Sequence, residues 1–288
     1  MTMVNPDRLS TPMYRNTRLK KVLAQLAIPV FGLLNRPALR WWAEAAYDVA
    51  LRWNGFAIAF PGKEGLTHPE EAFLKRFLPD LGPGTVLDVG ANHGSYTRFL
   101  AGRLPNRQIF SFEPHPRTFA VLCGSASFPN VTLVNMALSD TPGTMELYDF
   151  AQDDGSSQAS LSRDAVALFD SEIVQHSVEC TTLDAFAAAH DIDQIAFIKV
   201  DTEGFDINVL RGARGLLAAG RIAAIQFEFI PTNIATRVTI RDFFELLEGY
   251  DLFRLCVSGR LWPLPHYNVK RCEVYVIHNI IALRRQPG

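Results

Sequence analysis

The chain's pattern predicts an α/β fold: a seven-stranded, mostly parallel sheet preceded by a helical N-terminal extension. Three observations carry this. Seven short apolar runs alternate with amphipathic segments after about residue 66, the first run leads straight into a glycine-bearing turn and a helix, and the residues before 66 have helical periodicity. With 288 residues, 48% hydrophobic and 20 of them Phe, the chain has enough apolar surface for one large core, so disorder is excluded as its main state. The division expected is an extension over residues 1–65 and one sheet domain over 66–288.

Taken in order, the extension comes first. Among residues 1–40, Arg8, Arg15, Arg18, Lys20, Lys21, Arg36 and Arg40 are accompanied by one acid, Asp7. The whole chain has 28 Lys plus Arg against 30 Asp plus Glu, so the remainder is net acidic and no overall field draws the protein to nucleic acid. Val22 to Leu34 is apolar but interrupted by Gln25 and Pro29. It falls short of the about 20 apolar residues of a membrane span, and no small-residue cleavage site follows it. The expectation is a helix kinked at Pro29 that packs on the main domain, with a membrane surface as the alternative. Arg40 to Trp53 predicts a second helix, whose Trp41, Trp42, Tyr47 and Trp53 read as aromatics docking on the sheet domain, another subunit or a membrane.

The sheet domain opens with Thr67 and Glu70 spaced as a capping box, ahead of a helix that buries Phe73, Phe77 and Leu78. Gly82-Pro83-Gly84 ends it. Strands are expected at Thr85 to Val89, Gln108 to Phe112, Val131 to Val134, Ile195 to Val200, Ile222 to Phe229, Leu252 to Val257 and Val274 to Leu283. Helices are expected at Ser95 to Arg103, Pro116 to Cys123, Leu183 to His190, Phe205 to Leu217 and Ile240 to Leu247. Thr144 to Cys180 is less regular, and Asp153 to Ser157 reads as a flexible loop. Cys123, Cys180, Cys256 and Cys272 are far apart without a C-x-x-C pair, which disfavours a zinc knuckle and suits buried, reduced thiols in a cytoplasmic protein.

Chemistry concentrates at two strand ends. Val86 to Val89 runs into Gly90-Ala91-Asn92-His93-Gly94, a turn whose glycines let a ligand approach the backbone. Asp88 closes that strand, and Glu113, 25 residues on, closes the next, where a carboxylate can accept both hydroxyls of a ribose. The spacing is G-x-x-x-G, not the G-x-G-x-x-G that cradles a dinucleotide pyrophosphate, so a nucleoside without a phosphate chain is expected. The second strong block is Lys199-Val200-Asp201-Thr202-Glu203-Gly204 at the end of the fourth core strand. Acids there can simply complement a helix dipole. Two of them at the ligand edge of the sheet, joined by Glu228 from the next strand end, favour a catalytic role. His93 and His115 lie in ligand-edge loops, His266 and Tyr267 in a loop that would border the acceptor pocket, and His278 reads as structural.

Leu87-Asp88-Val89-Gly90-Ala91-Asn92-His93-Gly94, Phe112-Glu113-Pro114, Asn135 to Asp140 and Phe197 to Phe205 together resemble the FkbM family of S-adenosylmethionine-dependent methyltransferases. The resemblance covers about residues 67–283. It implies a class I methyltransferase fold, Rossmann-like, with S-adenosylmethionine as cofactor and methyl transfer to hydroxyl oxygens of sugars or polyketides. It also implies that Asp88, Gly90 and Asn92 line the methionine end of the cofactor, beside Gly94, that Glu113 holds the ribose, and that Asn135 to Ala137 border the adenine.

The function expected is therefore O-methyl transfer to a small-molecule hydroxyl acceptor, with Asp201, Glu203 and Glu228 as the catalytic acids and Asp201 as first choice for the base. No metal site is assigned, although Asp201 and Glu228 on adjacent strand ends could instead hold a divalent ion. Two rivals stay open: an oxidoreductase using NAD or a nucleotide sugar, and a cofactor-binding scaffold without turnover. The acceptor pocket is expected from the irregular segments Asp149 to Gln175 and Arg254 to Val269. No nucleic-acid partner is expected, while membrane or homo-oligomer contact through the N-terminal helices stays open.

Overall fold

The computed structural model describes residues 18–285. Asp7, Arg8 and Arg15, part of the basic N-terminal segment, lie outside the described residues. The strands are β1 (Thr85–Val89), β2 (Ile109–Phe112), β3 (Val131–Val134), β4 (Ala137–Leu138), β5 (Gly143–Phe150), β6 (Ile173–Thr181), β7 (Ile195–Val200), β8 (Ala224–Phe229), β9 (Tyr250–Leu255), β10 (Leu261–Pro263) and β11 (His278–Arg284). The main sheet has eight strands in the order β10-β9-β11-β8-β7-β1-β2-β3, and a second sheet has the order β4-β6-β5. Strands β3, β2, β1, β7 and β8 are parallel, whereas β11 is antiparallel to both β8 and β9.

All seven expected strands are in the main sheet, so the class of fold is as read; the count of seven is corrected to eight by β10, three residues paired with β9 at the edge. The small sheet occupies the region read as irregular. Along β5, Met145, Leu147 and Asp149 share one side, and a buried aspartate at the third position hides the period-two signal of a half-buried strand. The helix expected over Phe205 to Leu217 is two, Asp206–Arg211 and Arg214–Ala218. Gly212 lies at the break, where a Cβ would come within 2.0 Å of the Ser139 carbonyl oxygen.

Both faces of the main sheet are covered by the domain's own helices. One core joins Ile198 and Val200 of β7 to Leu183 and Phe186, Ile207 and Leu210, and Phe243. The other joins Phe197 of the same strand to Phe73 and Leu74 and to Tyr96, Phe99 and Leu100. With both faces buried, β7 reads as a continuous apolar run broken only by Lys199.

The N-terminal helices are Arg18–Leu34, with Pro29 inside, and Arg40–Trp53. Packing on the main domain, the reading preferred from the sequence, is not what is seen: Arg40–Trp53 contributes no buried residue, and Trp41, Trp42 and Trp53 are 58%, 60% and 80% exposed. Packing against the domain begins instead at Phe56 and Ile58, both buried. Among the described residues, no helix is long and apolar enough to cross a membrane. The cysteines also divide, with Cys180 and Cys272 buried but Cys123 exposed, so the expectation of four buried thiols is corrected.

Candidate active site

The chain runs outward from β1 to β2 and β3, then returns to place β7 on the other side of β1. Two neighbouring strands whose connections leave in opposite directions open a crevice beyond their carboxyl ends, and a cavity of about 550 Å³ lies there. Close strand packing shapes its floor. The Asp201 amide donates to the Val89 carbonyl at 2.9 Å, and a Cβ on Gly90 would fall 1.8 Å from the Asp201 carbonyl oxygen. Gly90 at φ +80 and Asn92 at φ +48 are both left-handed, so the turn after β1 admits little besides glycine and asparagine where it bends.

Glu113, at the end of β2, ties this turn to the cavity. One carboxylate oxygen accepts from the Asn92 amide and the other from the His115 amide, each at 2.9 Å. Burial pushes its pKa up to about 7 in spite of those two donors. The Asn92 side-chain oxygen is buried without a partner, an acceptor left for a bound molecule.

Behind the cavity a polar row crosses the sheet. The register sets Ser111 beside Asp88, Asp88 beside Lys199, and Lys199 beside Gln226. The helix Ser95–Arg103 reaches this row: the Thr97 hydroxyl donates to Asp88 at 2.7 Å and the Tyr96 hydroxyl to Gln226 at 2.7 Å. Gln226 in turn donates to Glu70 at 2.9 Å and to Asn279 at 2.7 Å, and Asn279 donates to Glu228 at 2.8 Å. The Lys199 ammonium lies 2.8 Å from Asp201 and 4.0 Å from Asp88. Burial alone would lower the Lys199 pKa, but the carboxylates of Asp201, Asp88 and Glu70 outweigh it and hold the ammonium charged.

The acids of the wall are unequal. Burial, reinforced by Asp201 and Asp206, pushes Glu203 up to about 8, and burial likewise drives Glu228 well above the ordinary carboxyl range. Fully buried Asp206, raised to about 7 by the same cause, accepts from the amides of Thr202 and Glu228 and so joins the ends of β7 and β8. Glu203 holds φ +52, an uncommon conformation for a glutamate, followed by Gly204 at φ +89. The alternative of a divalent ion between Asp201 and Glu228 does not fit this arrangement, because Lys199 already supplies the cation at Asp201.

The loop read as flexible is pinned. Asp149 accepts from the amides of Gly155 and Ser156 at 2.7 and 2.9 Å, and Asp154 accepts from Nε2 of His115 at 2.9 Å and of His176 at 2.6 Å. Arg117 reaches the other Asp154 oxygen at 3.0 Å. His115, Asp154 and His176 have the composition of a metal site. Nδ1 of His115, however, accepts from the amides of Arg117 and Thr118, so the neutral ring keeps its proton on Nε2, where a metal would have to bind. The cluster is a hydrogen-bonded clamp that holds Ser156 and Ser157 in the cavity wall.

Of the residues singled out from the sequence, Gly90, Asn92, Glu113, Ala137, Asp201, Glu203 and Glu228 are brought together on the wall. Asp88 is sealed beneath it, Gly94 is the left-handed residue that starts the helix Ser95–Arg103, and Asn135 braces the wall by donating to the Glu113 and Pro114 carbonyls. Arg254 to Val269 do not line the cavity; Tyr267 packs on Phe244 instead, and His266 is exposed. Their place is taken by Pro61, Gly62, Gly65, Leu66, Thr67 and Glu70, which sequence reasoning missed. His93 is exposed at the cavity mouth, His115 is fully buried, and His278 is a neutral core residue, its pKa lowered by burial to about 3. Lys199 and Glu70 were also missed as site residues. A lysine inside an otherwise apolar strand was the available signal.

The chain is similar to several known proteins. The chain is 28% identical over 184 residues to the 2-O-methyltransferase NoeI of Sinorhizobium fredii, a match covering 58% of this chain and 72% of that protein. It is 27% identical over 144 residues to Methyltransferase 1 of Beauveria bassiana, covering 44% of this chain and 57% of that one. Among solved structures it is similar to the precorrin-6y C5,15-methyltransferase of Geobacter metallireducens, at 14% identity and TM-score 0.41 over 80% of this chain and 94% of that one. The methyltransferase FkbM domain matches residues 88–252, more than half of the chain and the whole run from Asp88 through Glu113 and Asp201 to Glu228. This chain belongs to the FkbM family of S-adenosylmethionine-dependent methyltransferases.

Proposed function

We propose that this methyltransferase moves the methyl group of S-adenosylmethionine to a hydroxyl oxygen of a small molecule, a sugar or another natural product. The observation that carries the reading is the composition of the cavity wall: Asp201, ion-paired with Lys199, stands beside Glu203 and Glu228, two acids pushed toward the neutral form. Similarity to a protein named a 2-O-methyltransferase supports oxygen as the acceptor atom.

The residues present suit the cofactor. Glu113 retains a free lone pair on each oxygen for a ribose diol, Asn92 offers its unpartnered side-chain oxygen, and Phe112, Met136 and Leu138 supply an apolar slot for adenine. S-adenosylmethionine supplies an already activated methyl group, so the protein's task is to align the acceptor oxygen and take its proton. Asp201 is the base in this reading, with Lys199 fixing its orientation. Asn279 donates to Oε1 of Glu228, which leaves Oε2 of the protonated acid to donate to an acceptor oxygen and hold it.

The test is incubation with isotopically labelled S-adenosylmethionine and a panel of hydroxylated acceptors, with the methylated position located by NMR. O-methyl product is expected. Transfer to nitrogen or carbon alone would reject the reading, as would tight cofactor binding with no transfer to any acceptor.

A further inference from the structure

The N-terminal helices are the largest feature that methyl transfer leaves unused. In Arg18–Leu34 the side chains of Val22, Leu26, Ile28, Val30, Phe31, Leu33 and Leu34 are all exposed. At 100° per residue they occupy most of the helix circumference rather than one stripe. A protein partner, including a second copy, buries one face of a helix; an apolar sector this wide, with exposed Gln25 on the remaining side, suits a lipid boundary. At 17 residues and about 1.5 Å per residue, this one is shorter than the ~30 Å hydrocarbon core, so it would enter the boundary region without crossing.

Charge and aromatic content point the same way. The sequence sets Arg18, Lys20 and Lys21 before the apolar run and Arg36 and Arg40 after it, with no acid from residue 18 to residue 40. The following helix exposes Trp41, Trp42, Val49 and Trp53 close together around its axis, the residue types that settle at the level of lipid headgroups. Pro61 on the cavity wall comes only eight positions after Trp53, a reach of at most about 30 Å.

We infer that residues 18–53 bind the surface of an anionic bilayer and hold the cavity close to it. The full-length protein is to be mixed with vesicles of phosphatidylcholine alone and of phosphatidylcholine with phosphatidylglycerol, then sedimented. Binding is expected to the anionic vesicles, to weaken as salt rises, and to drop about tenfold or more in Arg36→Glu/Arg40→Glu, and again in Phe31→Ser/Trp41→Ser/Trp42→Ser. Calorimetry with S-adenosylhomocysteine checks that each variant keeps its folded site. Failure of the wild type to sediment with anionic vesicles at low salt would overturn the inference. So would equal binding by the substituted proteins, or a stable dimer in ultracentrifugation that the same substitutions dissolve. None of these readouts depends on methyl transfer.

Discussion

Glu113 holds the turn after β1 and faces the cavity with the same carboxylate; if it holds the ribose as proposed, its charge links cofactor binding to pH. A carboxylate can accept both hydroxyls of a ribose, and a protonated carboxyl cannot. With the group titrating near 7, affinity for S-adenosylhomocysteine should be flat above that pH and weaken below it, by up to about tenfold per unit. Glu113→Gln should bind more weakly by about 1.5 kcal/mol or more and lose the pH dependence, both read by calorimetry. Glu203 and Asp206 act on stability. Their pKa values near 8 and 7, against 4.5 and 3.8 unfolded, mean that the folded state holds more protons across this interval. Stability should then fall as pH rises toward 7 and 8, a window above both the folded pKa of His278, about 3, and its unfolded value of 6.5. Thermal unfolding should show that decline, reduced in Glu203→Gln. Asp201→Asn should leave cofactor affinity nearly intact and slow single-turnover methyl transfer about 10²-fold or more, whereas a helix-dipole role would leave turnover unchanged. At this scale the strand-end acids and the glycine turn were legible because their chemistry needs those residue types at those positions. Glu70 was legible only as a helix cap, since its contact with Gln226 joins residues 156 apart in the chain.

Elements show where local pattern is enough and where tertiary contact decides. Strand β7 and the helix Ser95–Arg103 match their sequence readings because periodicity and burial agree. The region from Thr144 to Cys180 misled because β5 turns Asp149 inward to bind the loop Gly155 and Ser156, a purpose that no period discloses. Gly212 misled in the other direction. It falls inside the single helix expected over Phe205 to Leu217, yet it marks the point where the chain presses against the Ser139 carbonyl. Gly212→Ala should therefore cost about 1–3 kcal/mol of stability by overpacking, although alanine is the better helix former, and thermal denaturation decides the sign.

For the whole molecule, the parallel half of the sheet and the position of the crevice followed from strand order, which alternating strands and helices imply. The placement of the extension did not follow, because apolar periodicity states that a face will be covered without stating by what. Packing starts at Phe56, and Pro61, Gly62, Gly65, Leu66 and Thr67 line the cavity, which sets two truncation points to compare. A chain lacking residues 1–53 should stay folded and bind S-adenosylhomocysteine as the full chain does. One lacking residues 1–66 should unfold at lower temperature, having lost buried Phe56, Ile58 and Leu66.

The place of β11 has a consequence for biosynthesis. It follows every other strand in the chain yet lies inside the sheet, between β8 and β9, and it brings Asn279 to Glu228. Until β11 is made, the β9–β10 pair has no link to the rest of the sheet and the acid at the end of β8 lacks its amide. The turn after β1, by contrast, is already made. A nascent chain thus carries the turn beside Glu113 long before the wall at Glu228 can be finished, and premature termination anywhere before residue 279 yields a protein in which Glu228 lacks the Asn279 amide.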